Sequence, residues 1–244
     1  VKTRNKPLIN SRGDTLSYNA SSFSREEDRS IGDVIKRLPG LTVGENGMIY
    51  YNGRPIFNLY IDGDNLMDGR YQLATKAVNK DMIKSIEVIQ NHQPVKVLQD
   101  KVATDNVALN LVLKDENSIK LSGQVMAGAG LPGLFDTGTD LILLNKKIKM
   151  INSLKANNTG IDYTGDIAQF GASSFLDETG NTRPKTLLSA GTAGSPDIPR
   201  KNFYFNRSGL ISINNLFNTK RKLQWRLNMQ LLVDRNRFNF ASMV

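Results

Sequence analysis

Residue types able to do chemistry are few in this chain, and their spacing is wrong for it. His92 is the only histidine, set in the turn Gln90-Asn91-His92-Gln93-Pro94 with no Ser, Cys or carboxylate pattern to complete a triad or a metal site. It is expected to be a surface turn residue. There is no cysteine, which removes disulfides and thiolate metal sites and leaves the compartment undecided. No Gly-rich phosphate loop and no nucleophile with a base can be found either. The expectation is therefore no enzyme, with no catalytic residues, no metal and no cofactor. Arg12-Gly13-Asp14 spells an adhesion tripeptide, but a turn is the simpler reading of three such residues. The 32 basic residues exceed the 23 acidic ones, giving +9, yet they scatter through turns and strand ends. Without aromatic platforms beside a basic groove, nucleic acid is not expected as a partner.

The elements that would position a site begin at Ser30. Ser30 with Asp33 three residues on is a capping box, and Ile31, Val34, Ile35 and Leu38 follow as one apolar stripe. Pro39 and Gly40 end the helix. Strands are predicted over Leu41 to Val43, Met48 to Tyr51 and Ile56 to Ile61, with turns at Glu45 to Gly47, Asn52-Gly53 and Asp62-Gly63. Asp64 to Val78 is a loop with one short helix. Asn79 caps a second short helix that turns Met82 and Ile83 inward, and Ile86 to Ile89 resumes as a strand. Val107 to Leu113 alternates and predicts a half-buried closing strand. Ahead of all this, Leu16, Tyr18 and Ala20 predict an edge strand.

After Asp115 the helical stripes vanish and long alternating strands replace them, about five between Ile119 and Phe240. In LQWRLNMQLLV, Leu223, Trp225, Leu227, Met229, Leu231 and Val233 share one face, while Gln224, Arg226, Asn228 and Gln230 share the other. Such a dyad is long enough to cross a membrane in a tilted barrel, at ~9 to 11 residues. It would equally suit a soluble sandwich with the apolar face inside. Composition, 39% hydrophobic and 23% charged, is ordinary for a soluble protein and excludes no barrel. Connection lengths favour the barrel. Asn145 to Lys147 and Asn218 to Lys222 are tight, whereas about 45 residues separate Asn157 from Tyr204, predicting Asp162 to Pro199 outside and Lys146 and Lys222 on the periplasmic side.

The helix ending Leu38-Pro39-Gly40-Leu41, the strand ending Tyr60-Ile61-Asp62-Gly63 and the strand Ile86-Glu87-Val88, in that order, resemble the plug of TonB-dependent outer-membrane receptors of the Bacteroidetes type. Asn52-Gly53-Arg54, where Arg-Gly is usual, and the residues after Ile89 depart from the pattern. The resemblance implies an α+β plug at 13–115 after a leader at 1–12 that follows a TonB box, and then the first antiparallel strands of a truncated transmembrane β-barrel at 116–244. Both ends look cut. It further implies energised uptake of a scarce ligand at the cell outer membrane, with the TonB complex and membrane lipid as partners and the ligand itself unread. Asp64, Asn65, Met67 and Asp68 would face the barrel lumen as substrate-binding residues, the alternative being a solvated loop. A soluble periplasmic or cell-surface binding protein with a β-sandwich half is the competing reading.

Overall fold

The computed structural model describes residues 8–44, 47–94, 104–115, 117–171, 206–219 and 223–236. The first unit is a seven-stranded sheet carrying three short helices. Its strands are β1 (Ile9–Arg12), β2 (Thr15–Asn19), β3 (Leu41–Val43), β4 (Ile49–Tyr51), β5 (Arg54–Ile61), β6 (Ile83–Ile89) and β7 (Val107–Leu113), in the spatial order β1-β2-β6-β7-β5-β4-β3. Only β5 and β7 run parallel. The helices are α1 (Ala20–Phe23), α2 (Ile31–Ile35) and α3 (Gln72–Ala77).

Local chemistry accounts for most of these elements. Asp33 accepts from the backbone N–H of Ser30 at 3.2 Å, closing the capping box that starts α2. Ile31, Val34, Ile35 and Leu38 are all fully buried. Tight turns follow where φ must be positive: Asn52 at 48° with Gly53 at 80°, and Asp62 at 47° with Gly63 at 78°, both Asx-Gly pairs that tolerate a left-handed backbone. Asn79 caps the 3₁₀ turn Lys80–Met82 through a 2.8 Å bond from the Asp81 N–H, and Met82 and Ile83 are buried as expected.

Two positions differ from the sequence reading. The Leu16 to Ala20 stretch is not an edge: β2 lies between β1 and β6, because residues 9–12, expected as leader, fold back across the Gly13 turn and pair Arg12 with Thr15. β7 is not a half-buried closing strand. It sits mid-sheet between β6 and β5 with Val107, Ala108, Leu109 and Leu111 all buried, since a strand flanked on both sides and covered on both faces has no wet side. Its one polar residue, Asn110, is satisfied by donating to Glu87 at 2.9 Å and accepting from the Gly63 N–H at 2.9 Å.

The second unit is a single antiparallel meander: β8 (Lys120–Gly130), β9 (Leu134–Leu144), β10 (Ile148–Asn157), β11 (Asn206–Asn218) and β12 (Gln224–Asn236). Its register places residues on two sharply different faces. On the outer face Leu121, Val125, Leu141, Leu154, Phe217, Trp225, Leu227, Met229, Leu231 and Val233 are exposed, Trp225 to 68% and Val125 to 79%. On the inner face Asp140, Lys149, Ser153, Asn157, Asn206, Ser212 and Asn214 are buried. The usual arrangement of a soluble sheet is inverted. No second sheet packs on the apolar face among the described residues. The inner face instead curls over the first unit, and Ile142, Leu144, Ile151 and Leu216 join that unit's apolar core.

Connections at one end, residues 145–147 and 219–223, are short. At the other end, 131–133 is also short, set by Pro132-Gly133, so only the 158–205 connection is long. Described residues of that long connection do not all project outward: Tyr163, Asp166 and Phe170 are buried. Residues 172–205 and 220–222, with the Lys222 expectation, lie outside the described residues.

Candidate functional site

Polar contacts between the two units concentrate along one seam, and its hub is Asp64. The tight turn at Asp62-Gly63 ends β5 and delivers Asp64 to the inner face of the wall. There its carboxylate meets Lys149 Nζ at 2.5 Å, and accepts from Asn218 Nδ2 at 2.7 Å and from Gln224 Nε2 at 3.0 Å. Lys149 is 1% exposed, so its charge is neutralised almost wholly by this one partner and its hydrogen bonds. Next along, Arg226 donates to the Asn65 carbonyl at 3.1 Å and lies 3.7 Å from Asp68. Asn65 folds back to accept from the Asp68 N–H at 2.9 Å, and Asp68 takes a φ of 51°.

Asp64, Asn65 and Asp68 are thus brought together on the wall, and Met67 is not with them: it is 1% exposed, inside the core. Sequence reasoning passed over their partners. Lys149 and Arg226 stand on the inward face of dyad strands, where their charge was the available signal.

A second seam joins α3 to the segment after β10. Asp166, in the 3₁₀ turn Thr164–Ile167, receives Lys76 at 2.5 Å and Lys155 at 2.8 Å. Burial pushes its carboxyl up, but the two ammonium groups outweigh burial and hold it below the usual carboxylate value. Phe170 stacks at 4.9 Å on Tyr71, and its N–H donates to the Gly69 carbonyl at 2.9 Å. Tyr71 is itself fully buried, donating to the Ile56 carbonyl at 2.7 Å and accepting from the Ile49 N–H at 3.1 Å.

Two cavities flank the seams. One of about 400 Å³ lies between α2 and α3 beside Asp33, Gln72 and Lys76. The other, about 260 Å³, is bounded by the inner wall at Gln124, Asp136 and Asp140 and by Tyr163 and Asp166. His92 is in neither. It is half-buried rather than a free surface residue, with Nε2 2.8 Å from the Tyr60 hydroxyl and the two rings edge to face at 5.2 Å. Desolvation there lowers its pKa. The Arg-Gly-Asp tripeptide is the β1–β2 turn.

No known protein family and no curated protein matches the sequence. Solved structures similar to the chain include the ferric-catecholate import receptor Fiu from E. coli K12, at 12% identity over 91% of this chain and 27% of that one, TM-score 0.32. The copper transporter OprC is similar at 16% identity, over 94% and 32%, TM-score 0.35. The siderophore receptor PirA from Acinetobacter baumannii is similar at 12%, over 92% and 32%, TM-score 0.35. The chain spans about a third or less of the length of these three.

Proposed function

We propose that this chain is the N-terminal part of a TonB-dependent outer-membrane transporter of the Bacteroidetes type. Residues 13–115 are the plug, and 116–244 are the opening strands of a barrel that encloses it in the cell outer membrane. The observation that carries this reading is the inverted polarity of the meander. An apolar face that is exposed over five strands, backed by a polar face closed on a folded unit, is stable where the surroundings are lipid and the interior is wet or protein-filled.

The dimensions agree. From Trp225 to the flanking Arg235 is ten residues, about 34 Å of strand at ~3.4 Å each. With a tilt of about 40° that becomes ~26 Å along the membrane normal, against an apolar band of ~25 Å in such barrels. Five strands cannot close around a unit of this size, because barrel diameter grows with strand number and about eight strands are already filled by side chains alone. Further strands therefore complete the wall. The short turns 145–147 and 219–223 mark the periplasmic end.

In this reading the seams hold the plug in the lumen, and uptake requires part of them to open. Ligand contact at Asp64, Asn65, Met67 and Asp68 belongs to that opened state, since three of them are bonded to the wall and the fourth is in the core. The test is fractionation of the full-length protein. It should sediment with outer membranes, need detergent for extraction and migrate differently before and after boiling on a denaturing gel. A protein recovered monodisperse from buffer without detergent would overturn the reading.

A further inference from the structure

Resting on the barrel reading, we infer that Arg207 and Arg235 form a lipid-phosphate clamp on the outside of the wall. The two residues are register partners on β11 and β12. Both are exposed. They stand on the outward-facing row, one step beyond the inward row of Asp136, Asn157, Ser208 and Asp234. Directly below them on the same outer face come Gly209 and Val233, then Ile211 and Leu231, then Ile213 and Met229. The pair therefore caps the apolar belt.

Two like charges facing each other across neighbouring strands repel and destabilise the pairing unless an anion lies between them. No carboxylate forms an ion pair with either guanidinium among the described residues. The nearest acid in sequence, Asp234, points inward, where its carboxylate accepts from Asn206 Nδ2 at 3.2 Å. Phe135 stands on the same outward row, 40% exposed, at the height where aromatic residues meet the headgroup layer. In the barrel reading the apolar rows below the pair lie in lipid, so the anion that meets it there is a headgroup phosphate. A planar guanidinium donates two parallel bonds to a phosphate, and two guanidiniums side by side suit a headgroup carrying more than one phosphate oxygen set.

This end of the wall carries the long 158–205 connection beside the short 131–133 turn, and in the barrel reading the long connection puts it at the outer leaflet. The occupant is a phosphorylated glycolipid of that leaflet, bound by its phosphates while its acyl chains lie along Val233, Leu231 and Met229.

The test titrates fluorescent lipid A into the full-length protein held in phosphatidylcholine nanodiscs. Replacing both residues (R207Q/R235Q) should weaken binding about tenfold or more. The double variant K146Q/K147Q, at the exposed turn of the other end, should leave it unchanged. Equal binding by R207Q/R235Q and the unaltered protein overturns the clamp, as does an equal loss in K146Q/K147Q, which would mean unspecific charge. Phosphatidylglycerol competing as well as lipid A overturns the choice of glycolipid. Failure of the barrel reading is distinguishable, because then the unaltered protein would not insert into nanodiscs at all.

Discussion

Lys149 Nζ lies 2.5 Å from Asp64 Oδ2, joining the third strand of the wall to the loop that follows the fifth strand of the first unit. The pair is 85 residues apart in sequence, and the lysine is sealed from water. Replacing Asp64 with Asn leaves a buried ammonium without its counter-charge, which costs about 3–5 kcal/mol. The Lys149→Met change removes the charge in turn, so the double variant should recover a large part of that loss. Thermal unfolding of the full-length protein in detergent measures both. If Asp64→Asn alone unfolded with the unaltered protein, the Asp64–Lys149 pair would contribute nothing to holding the units together.

Much of the first unit was legible because its signals are local. Ser30 and Asp33 fix a helix start, Asn52-Gly53 and Asp62-Gly63 fix turns by backbone conformation alone, and each acts over a few residues. The wall was legible as strands for the same reason, through its period of two. What local pattern could not supply was partnership. Val107 to Leu113 alternates too weakly to reveal whether it ends or centres a sheet, and only its parallel pairing with Arg54–Ile61 decides that. Periodicity in Leu223 to Val233 likewise separates two faces without saying which is inside, and that was decided by the buried Asn214 and Ser212 on the facing strand. The seam rests on Asp64 meeting residues up to 160 positions away, a relationship with no sequence period to betray it.

His92 should make the first unit sensitive to mild acid. Burial lowers its pKa below the ordinary 6.5, so the unfolded chain takes up a proton at a higher pH than the folded one. The stability contributed by the neutral ring is complete above the ordinary histidine value. It is lost as pH falls from there towards the lowered folded value. Denaturant melts at about pH 7.5 and about pH 5.5 should show a drop, with His92→Gln flattening it. An identical drop in His92→Gln would assign the acid sensitivity to other groups.

Gly69 is where the segment after β10 is fastened to the first unit, and it tests whether that fastening is separable from folding. Its φ is +81°, and a Cβ placed there would come 2.6 Å from the Phe170 carbonyl oxygen. The neighbouring bonds run the same way: Arg70 donates to Gln169 Oε1 at 3.1 Å, and Gln169 donates to the Asp68 carbonyl at 3.3 Å. Gly69→Val adds a β-branched side chain at a left-handed position and against backbone that cannot rotate aside. The least costly relief is for Phe170 to withdraw from Tyr71. Amides of residues 161–171 should then lose hydrogen-exchange protection, while those of β6 and β7, held by a core that Gly69 does not enter, keep theirs. Gly165→Ala is the control, since a Cβ there meets only Gln72 Oε1 at an ordinary 3.5 Å. Unchanged protection of 161–171 in Gly69→Val would mean that the segment is held by its other contacts, among them Asp166 with its two lysines and Ile161 with Asn157 and Asn206.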